Sequence, residues 1–229
     1  MDRTVLITGG SGGLGAPVTR AFLHAGWRVV VPIFDPAEEE RLPGDAGLRL
    51  VRADLFDEAS VKEVVDAAAA PDAPLRAVVN LVGGFAFGGR VHETPVSEFE
   101  EQFRLNLRPT YLVSAAAIPH LLNAGGGAIT CVSTRAALRP FPGAAGYIAS
   151  KAAVLAFVDA LAAEYRDDDI RVNAILPSVI DTPGNRVAHP DEDHSAWVSP
   201  QQIADVLLFL CGDQSGVVSG AHVPVYGKA

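Results

Sequence analysis

The chain has 229 residues, 49% of them apolar, and a formal net charge of −9. That acidity, with no run of Lys or Arg, excludes a phosphate-backbone groove for nucleic acid and an anionic membrane surface, leaving a small-molecule partner as the expectation. No uninterrupted apolar run reaches the roughly 20 residues of a membrane span, residues 1–7 pass straight into glycines without a signal-peptide pattern, and Cys131 and Cys211 lie far apart in apolar stretches that suit buried reduced thiols. A soluble cytoplasmic protein is therefore expected.

Short β-branched runs alternate with segments of helical period, the pattern of an α/β doubly wound parallel sheet with helices on both faces. In chain order, strands are predicted at 4–8, 28–33, 48–53, 75–81, 128–133, 170–176 and 221–225. Helices are predicted at 13–25, 58–70, 96–123, 145–166 and 200–211, the last opened by Ser199 as cap and Pro200 in the first turn. Between 35 and 48 the chain is too short and too broken by Pro and Gly for a full crossover helix, so an abbreviated turn is expected. No repeat or linker divides the chain, and residues 1–229 read as one domain with a short loop at about 178–199.

The first strand runs into Thr8-Gly9-Gly10-Ser11-Gly12-Gly13-Leu14-Gly15 and then a helix. Glycines let a backbone turn tightly and approach a pyrophosphate, while a helix N-terminus offers unpaired N–H groups and a positive dipole end. The Gly-x-x-x-Gly-x-Gly spacing at this place in the chain predicts dinucleotide binding by Gly9, Ser11, Gly12, Gly13, Leu14 and Gly15. At the end of the second strand, Phe34 and Asp35 stand where an acidic side chain pairs ribose hydroxyls or an arginine accepts a 2′-phosphate. No Arg or Lys adjoins Asp35, so NAD(H) is favoured over NADP(H); Asp35 as a turn cap is the competing reading.

Tyr147 and Lys151 lie four apart in a helical segment and share one face. A phenol of ordinary pKa near ~10 is a poor proton carrier at neutral pH, and a neighbouring ammonium favours its ionised form. Thr134, at the end of the fifth strand, carries a hydroxyl suited to orienting a substrate carbonyl.

With those residues the chain resembles the short-chain dehydrogenase/reductase family, over nearly its whole length. The likeness rests on the glycine turn, Asp54 after the third strand, Asn80 after the fourth, Asn106 in the following helix, Tyr147 with Lys151, Pro177 and Thr182 after the sixth strand, and Gly220 with Val225 near the end. It implies a Rossmann-like fold and hydride transfer between a nicotinamide cofactor and a carbonyl or alcohol. Under that resemblance Tyr147 is the general acid/base, Lys151 lowers its pKa and holds the nicotinamide ribose, Thr134 orients the substrate, and Asn106 supports a water linking Lys151 to solvent. Asp54 would face the adenine, Asn80 and Gly83 the adenosine side, and Ile180 with Thr182 the nicotinamide carboxamide, with Leu55, Leu81, Val82 and Pro177 also among the cofactor-binding residues. A homodimer or homotetramer built on the helices before and after the fifth strand is implied as well.

Three departures from the family pattern stand out. Thr134 replaces the usual serine, with Ser133 beside it as a possible substitute; the run Asn80-Leu81-Val82-Gly83-Gly84 lacks a second asparagine; and Ser178 follows Pro177 in place of glycine. The connection after the sixth strand is shorter than in most relatives, which implies a more open site. Residues 176–197 are also similar to dihydropteridine reductase, which keeps a C=N reductase as an alternative; a dinucleotide-binding sensor without chemistry is another. Phe85, Phe87, Arg135, Ser178 and Trp197 are candidates to line the substrate pocket. His189, Asp191, Asp193 and His194 fit no metal-ligand spacing, so no metal is expected there.

Overall fold

The computed structural model describes residues 2–228. Seven strands, β1 (Thr4–Thr8), β2 (Arg28–Ile33), β3 (Leu48–Arg52), β4 (Leu75–Asn80), β5 (Gly127–Val132), β6 (Ile170–Pro177) and β7 (His222–Val225), form one parallel sheet in the order β3-β2-β1-β4-β5-β6-β7. The predicted strands and their doubly wound arrangement are present, with ends shifted by a residue in places.

Helices α1 (Gly15–His24), α2 (Glu58–Ala68), α3 (Val96–Asn106), α4 (Arg108–Asn123), α5 (Ala145–Glu164), α6 (Pro183–Ala188) and α7 (Pro200–Cys211) cover the two faces. Their apolar sides explain the layering. Val18, Phe22, Ile203 and Leu207 pack with Val5, Ile7 and Val31 on one face. On the other, Val61, Val65, Val113, Leu121, Val154 and Val158 meet Leu6, Val78 and Ile129. Strands β1, β2, β4, β5 and β6 thus bury both rows of side chains and read as nearly continuous apolar runs, while the edge strands β3 and β7 stay partly exposed.

Three local expectations need correction or refinement. The predicted helix at 96–123 is two helices, broken at Leu107. Pro109, in the first turn of α4, has no N–H for the carbonyl four residues back, so the ladder cannot run through. The 35–48 segment holds a 3-10 turn, Pro36–Arg41, capped by Asp35. Lastly, α5 alone among the described helices is long and apolar enough by composition to cross a membrane. Lys151 and Asp159 interrupt it, and Val154, Leu155, Val158 and Leu161 anchor it in the core.

The order places β1 beside β4, where the chain's progression across the sheet reverses. In such sheets the crevice beyond the carboxyl ends of these strands is the binding place. Thr8 ends β1 in register with Asn80 at the end of β4. Its Oγ1 accepts from the N–H groups of Leu81, at 3.1 Å, and Val82, at 3.4 Å, and ties the two loops flanking the crevice.

Candidate functional site

One wall of the crevice is the glycine turn. Gly9 has φ +65°, a conformation that favours glycine. The turn is closed by Gly12 N–H donating to Gly9 O at 3.0 Å and Ala16 N–H to Gly12 O at 2.9 Å. A Cβ on Gly15 would stand 1.9 Å from Gly9 O, and one on Gly13 would stand 3.1 Å from the Thr182 side chain. Backbone therefore comes this close only because side chains are absent, and the cradle fits the pyrophosphate of a dinucleotide at the start of α1.

Next to it lies a cavity of about 280 Å³ bounded by Gly9, Phe34, Glu38, Asp54, Leu55 and Val82. Asp35, the acidic group expected to face a ribose, does not serve that cavity. Its carboxylate accepts from Ala37 N–H at 3.0 Å and caps the 3-10 turn. Glu38 borders the cavity instead. One of its oxygens accepts from the N–H groups of Phe34 and Asp35, both at 3.0 Å, and the other accepts from the Ser11 hydroxyl. These bonds lower the Glu38 carboxyl's pKa against the opposing effect of burial. The sequence signal was present in Asp35-Pro36-Ala37-Glu38, a capping-box pattern. Arg104 also lines the cavity, a cation that adjacency to Asp35 did not reveal. It lies 4.5 Å over the Phe56 ring and pairs with Glu101 through Nε at 2.6 Å and Nη2 at 2.7 Å.

Asp54 accepts from Phe56 N–H at 2.9 Å. Asn80, expected on the adenosine side, is turned under the sheet. Its amide donates to Ser114 Oγ at 3.1 Å, leaving Oδ1 buried without a partner.

The second wall is built by β5 and α5. Burial pushes the Tyr147 phenol above its ordinary pKa, and the nearby Thr134 side chain opposes this to a smaller degree. This reverses the sign expected from the Tyr147/Lys151 spacing. The Lys151 ammonium is directed at Val132 O, to which Nζ donates at 2.9 Å. Burial lowers the lysine to about 8. The neighbouring Cys131 thiol is pushed up to about 11, also by burial, so it stays neutral at pH 7.

Asn106 closes the cluster. Its Oδ1 accepts from Gly84 N–H at 2.9 Å, its Nδ2 donates to Ser150 Oγ at 3.1 Å, and that hydroxyl donates to Tyr147 O at 2.8 Å. A Cβ at Gly83 would lie 2.6 Å from Asn106 Oδ1 and 2.9 Å from Lys151 Nζ, so loop 83–84, α3 and α5 meet at one point. Tyr147, Lys151 and Asn106 thus lie in one cluster, with Thr134 near the phenol.

Several substrate-side candidates are not. Ser133 is buried and donates to Lys151 O at 2.8 Å, because neighbours in extended chain point to opposite sides. Ser178 donates to Tyr226 O at 2.7 Å and Arg135 lies 5.2 Å over the Tyr226 ring, so both hold the C-terminal segment. Trp197 packs on the His194 ring, 4.2 Å between centroids. Phe85 meets Tyr147 edge to face at 4.9 Å, and Phe87 lines a cavity bordered by Tyr147. Thr182 caps α6 through Asn185 N–H at 3.3 Å, and Ile180 O accepts from the Asn185 amide at 2.8 Å. Pro177 is buried at the end of β6. In the loop beyond, His189 pairs with Glu192 at 2.9 Å and Asp193 bonds Ser195. No cluster of three or more potential metal ligands occurs among the described residues.

Comparison with known proteins agrees with this geometry. The family model described as enoyl-(acyl carrier protein) reductase matches residues 9–227. The chain is 32% identical to 2-(R)-hydroxypropyl-CoM dehydrogenase of Xanthobacter autotrophicus (strain ATCC BAA-1158 / Py2), over 99% of this chain and 98% of that one. Among solved structures, 3-ketoacyl-(acyl-carrier-protein) reductase from Brucella melitensis complexed with NADH superposes with TM-score 0.87 at 29% identity, covering 98% and 97% of the two chains. ElxO with NADP bound superposes with TM-score 0.91 at 24% identity, covering 99% and 98%, a likeness of fold. The chain belongs to the short-chain dehydrogenase/reductase family and is an NAD(P)-dependent oxidoreductase.

Proposed function

We propose that this chain interconverts a carbonyl and an alcohol, with Tyr147 as the proton donor and acceptor. The observation that carries the reading is Tyr147 in the wall of a cavity and edge to face with Phe85, with the buried Lys151 one helical turn on and the Asn106–Ser150 bond fixing that turn. When bound, the nicotinamide supplies or takes the hydride. The chain does the rest. Thr134 and Tyr147 hold the substrate oxygen between two hydroxyls, Tyr147 Oη gives it a proton in reduction and removes one in oxidation, and Lys151 would hold the nicotinamide ribose. Asn106 and Ser150 fix the helical turn that carries Tyr147. The strand-five hydroxyl favours carbonyl over pterin reduction. Oxidation of NADH followed at 340 nm with small ketones and with quinonoid dihydropterin tests this; ketone turnover supports it, and pterin turnover alone overturns it.

The Lys151 role carries a pH dependence. With its pKa lowered from 10.5 to about 8, the lysine is charged below pH 8 and loses its proton as pH rises through that value. NADH affinity is therefore expected to be constant up to about pH 7 and to weaken above 8. In Lys151→Met the slope should vanish. Fluorescence titrations from pH 6 to 9.5 measure both.

NAD(H) remains the favoured cofactor, now through Glu38. A carboxylate beside Ser11 accepts from ribose hydroxyls and repels a 2′-phosphate. NADH is expected to bind at least about tenfold more tightly than NADPH, a difference on the order of one charged hydrogen bond. Glu38→Gln should narrow that ratio, whereas Asp35→Asn should not; a ratio unaltered by Glu38→Gln contradicts the assignment. The chain is further expected to work as a homodimer or homotetramer through the α4–α5 face, where the exposed Tyr111 ring lies 5.7 Å from Phe157; sedimentation measures this.

A further inference from the structure

A cavity of about 350 Å³ opens between the loop after β4, helix α3 and the segment leading into α5, with Tyr147 in its wall. Its making depends on two glycines. Gly143 has φ +86°, and its carbonyl accepts from Gly88 N–H at 2.8 Å, which pins the loop over the cavity. Gly146 lets α3 come close, since a Cβ there would lie 3.2 Å from Gln102 Cγ and 3.3 Å from Phe99 Cα.

The lining is mostly apolar, contributed by Phe87, Val91, Val96 and Phe99; of its polar members besides Tyr147, Thr94 donates to Gly89 O and Arg90 O, and Glu98 and Gln102 bear on recognition. Glu98 contributes a carboxylate, and no Lys or Arg lines the space. Gln102 is 8% exposed, and its Oε1 is buried with no hydrogen-bond partner. A buried amide oxygen left unpaired costs free energy that a donor recovers. The terminal torsion of a glutamine is broad, so a small rotation turns this oxygen toward a ligand.

We infer that this cavity is the substrate's recognition pocket, and that the substrate is a compact neutral ketone or alcohol carrying a second hydroxyl, which donates to Gln102. Size sets the compactness, since the volume lies at the low end of small-molecule pockets. Charge sets the neutrality, since a carboxylate, sulfonate or phosphate tail meets Glu98 and no cation. The unpaired amide requires the second donor. This rests on the proposed carbonyl–alcohol chemistry at Tyr147.

The test compares cyclohexanone, 2-hydroxycyclohexanone and 3-oxocyclohexane-1-carboxylate as substrates with NADH. The hydroxyketone is expected to exceed cyclohexanone in kcat/KM by roughly tenfold, the worth of one hydrogen bond, and the carboxylate to fall below both. In Gln102→Leu the ratio of hydroxyketone to cyclohexanone should collapse toward one, with the change in KM. A ratio that survives Gln102→Leu, or a preference for the carboxylate, overturns the inference. Calorimetric binding of the hydroxyketone to the NADH complexes of Tyr147→Phe and Tyr147→Phe/Gln102→Leu reads the pocket without chemistry. Weaker binding in the double variant supports the pocket even where no ketone is turned over, a result that would sink only the proposed reaction; equal binding overturns the pocket assignment.

Discussion

Replacing Tyr147 by phenylalanine is expected to lower turnover by about two to four orders of magnitude, the usual worth of a positioned proton carrier, with NADH affinity nearly unchanged. The change removes one oxygen atom and keeps the ring that meets Phe85 edge to face. Thr134 then faces the substrate oxygen alone, without a proton to give. Steady-state rates and a fluorescence titration on the same preparation separate the two effects. A variant that turns over as fast as the parent would remove Tyr147 from the proton transfer, whereas NADH binding without turnover in the parent itself would place this chain among dinucleotide-binding sensors.

The second large effect is expected in the glycine turn. In Gly15→Ala the new methyl group would stand 1.9 Å from Gly9 O and 2.7 Å from Gly10 Cα, both backbone atoms that no rotamer change can move aside. Backbone displacement of this kind costs about 3 kcal/mol or more. For a chain of this size that corresponds to a melting temperature lower by roughly 6–12 °C. NADH binding should be lost with it, because the displaced atoms are the cradle itself. Gly44→Ala is the control. Nothing lies within 4 Å of its added Cβ, and its φ is not positive. It should be neutral or stabilising by about 0.4–1 kcal/mol. Thermal melts and NADH titrations of the pair check the contrast; a Gly15→Ala variant that melts and binds like Gly44→Ala contradicts the cradle.

Much of this architecture is legible in the sequence because its signals are local. β-branched runs locate the strands, the glycine run locates the β1–α1 turn, and the Tyr147/Lys151 spacing puts two side chains on one face of α5. What escaped depends on burial and on partners distant in the chain. The break at Leu107 hides inside an apolar period that continues through both helices, and only Pro109 marks it. The pattern Asp35-Pro36-Ala37-Glu38 assigns Asp35 to a cap, yet it does not say that Glu38 reaches Ser11 across 27 positions. The direction of the Tyr147 shift was misjudged because spacing says nothing of desolvation, which raises the phenol and lowers the lysine together. Ser133 and Thr134 are equivalent hydroxyls in a sequence; extended backbone gives one to Lys151 O and turns the other to the opposite side. Gln102 sits among charged and aromatic residues of α3 like any surface glutamine, and the approach of Gly146 is what buries it.

The same burial gives the buried pair a consequence for the reaction. In the free chain the phenol is held protonated, the state that reduction of a carbonyl requires, while oxidation of an alcohol needs the proton gone.

The central claim, that Tyr147 works on a substrate oxygen next to a bound nicotinamide, is tested most directly by a crystal structure of the NADH complex with a non-reacting hydroxyketone analogue. The account places the analogue's carbon within about 3.5 Å of nicotinamide C4 and its oxygen within about 3.2 Å of Tyr147 Oη. A nicotinamide ring seated away from Tyr147, or a substrate oxygen held by other groups, would contradict it.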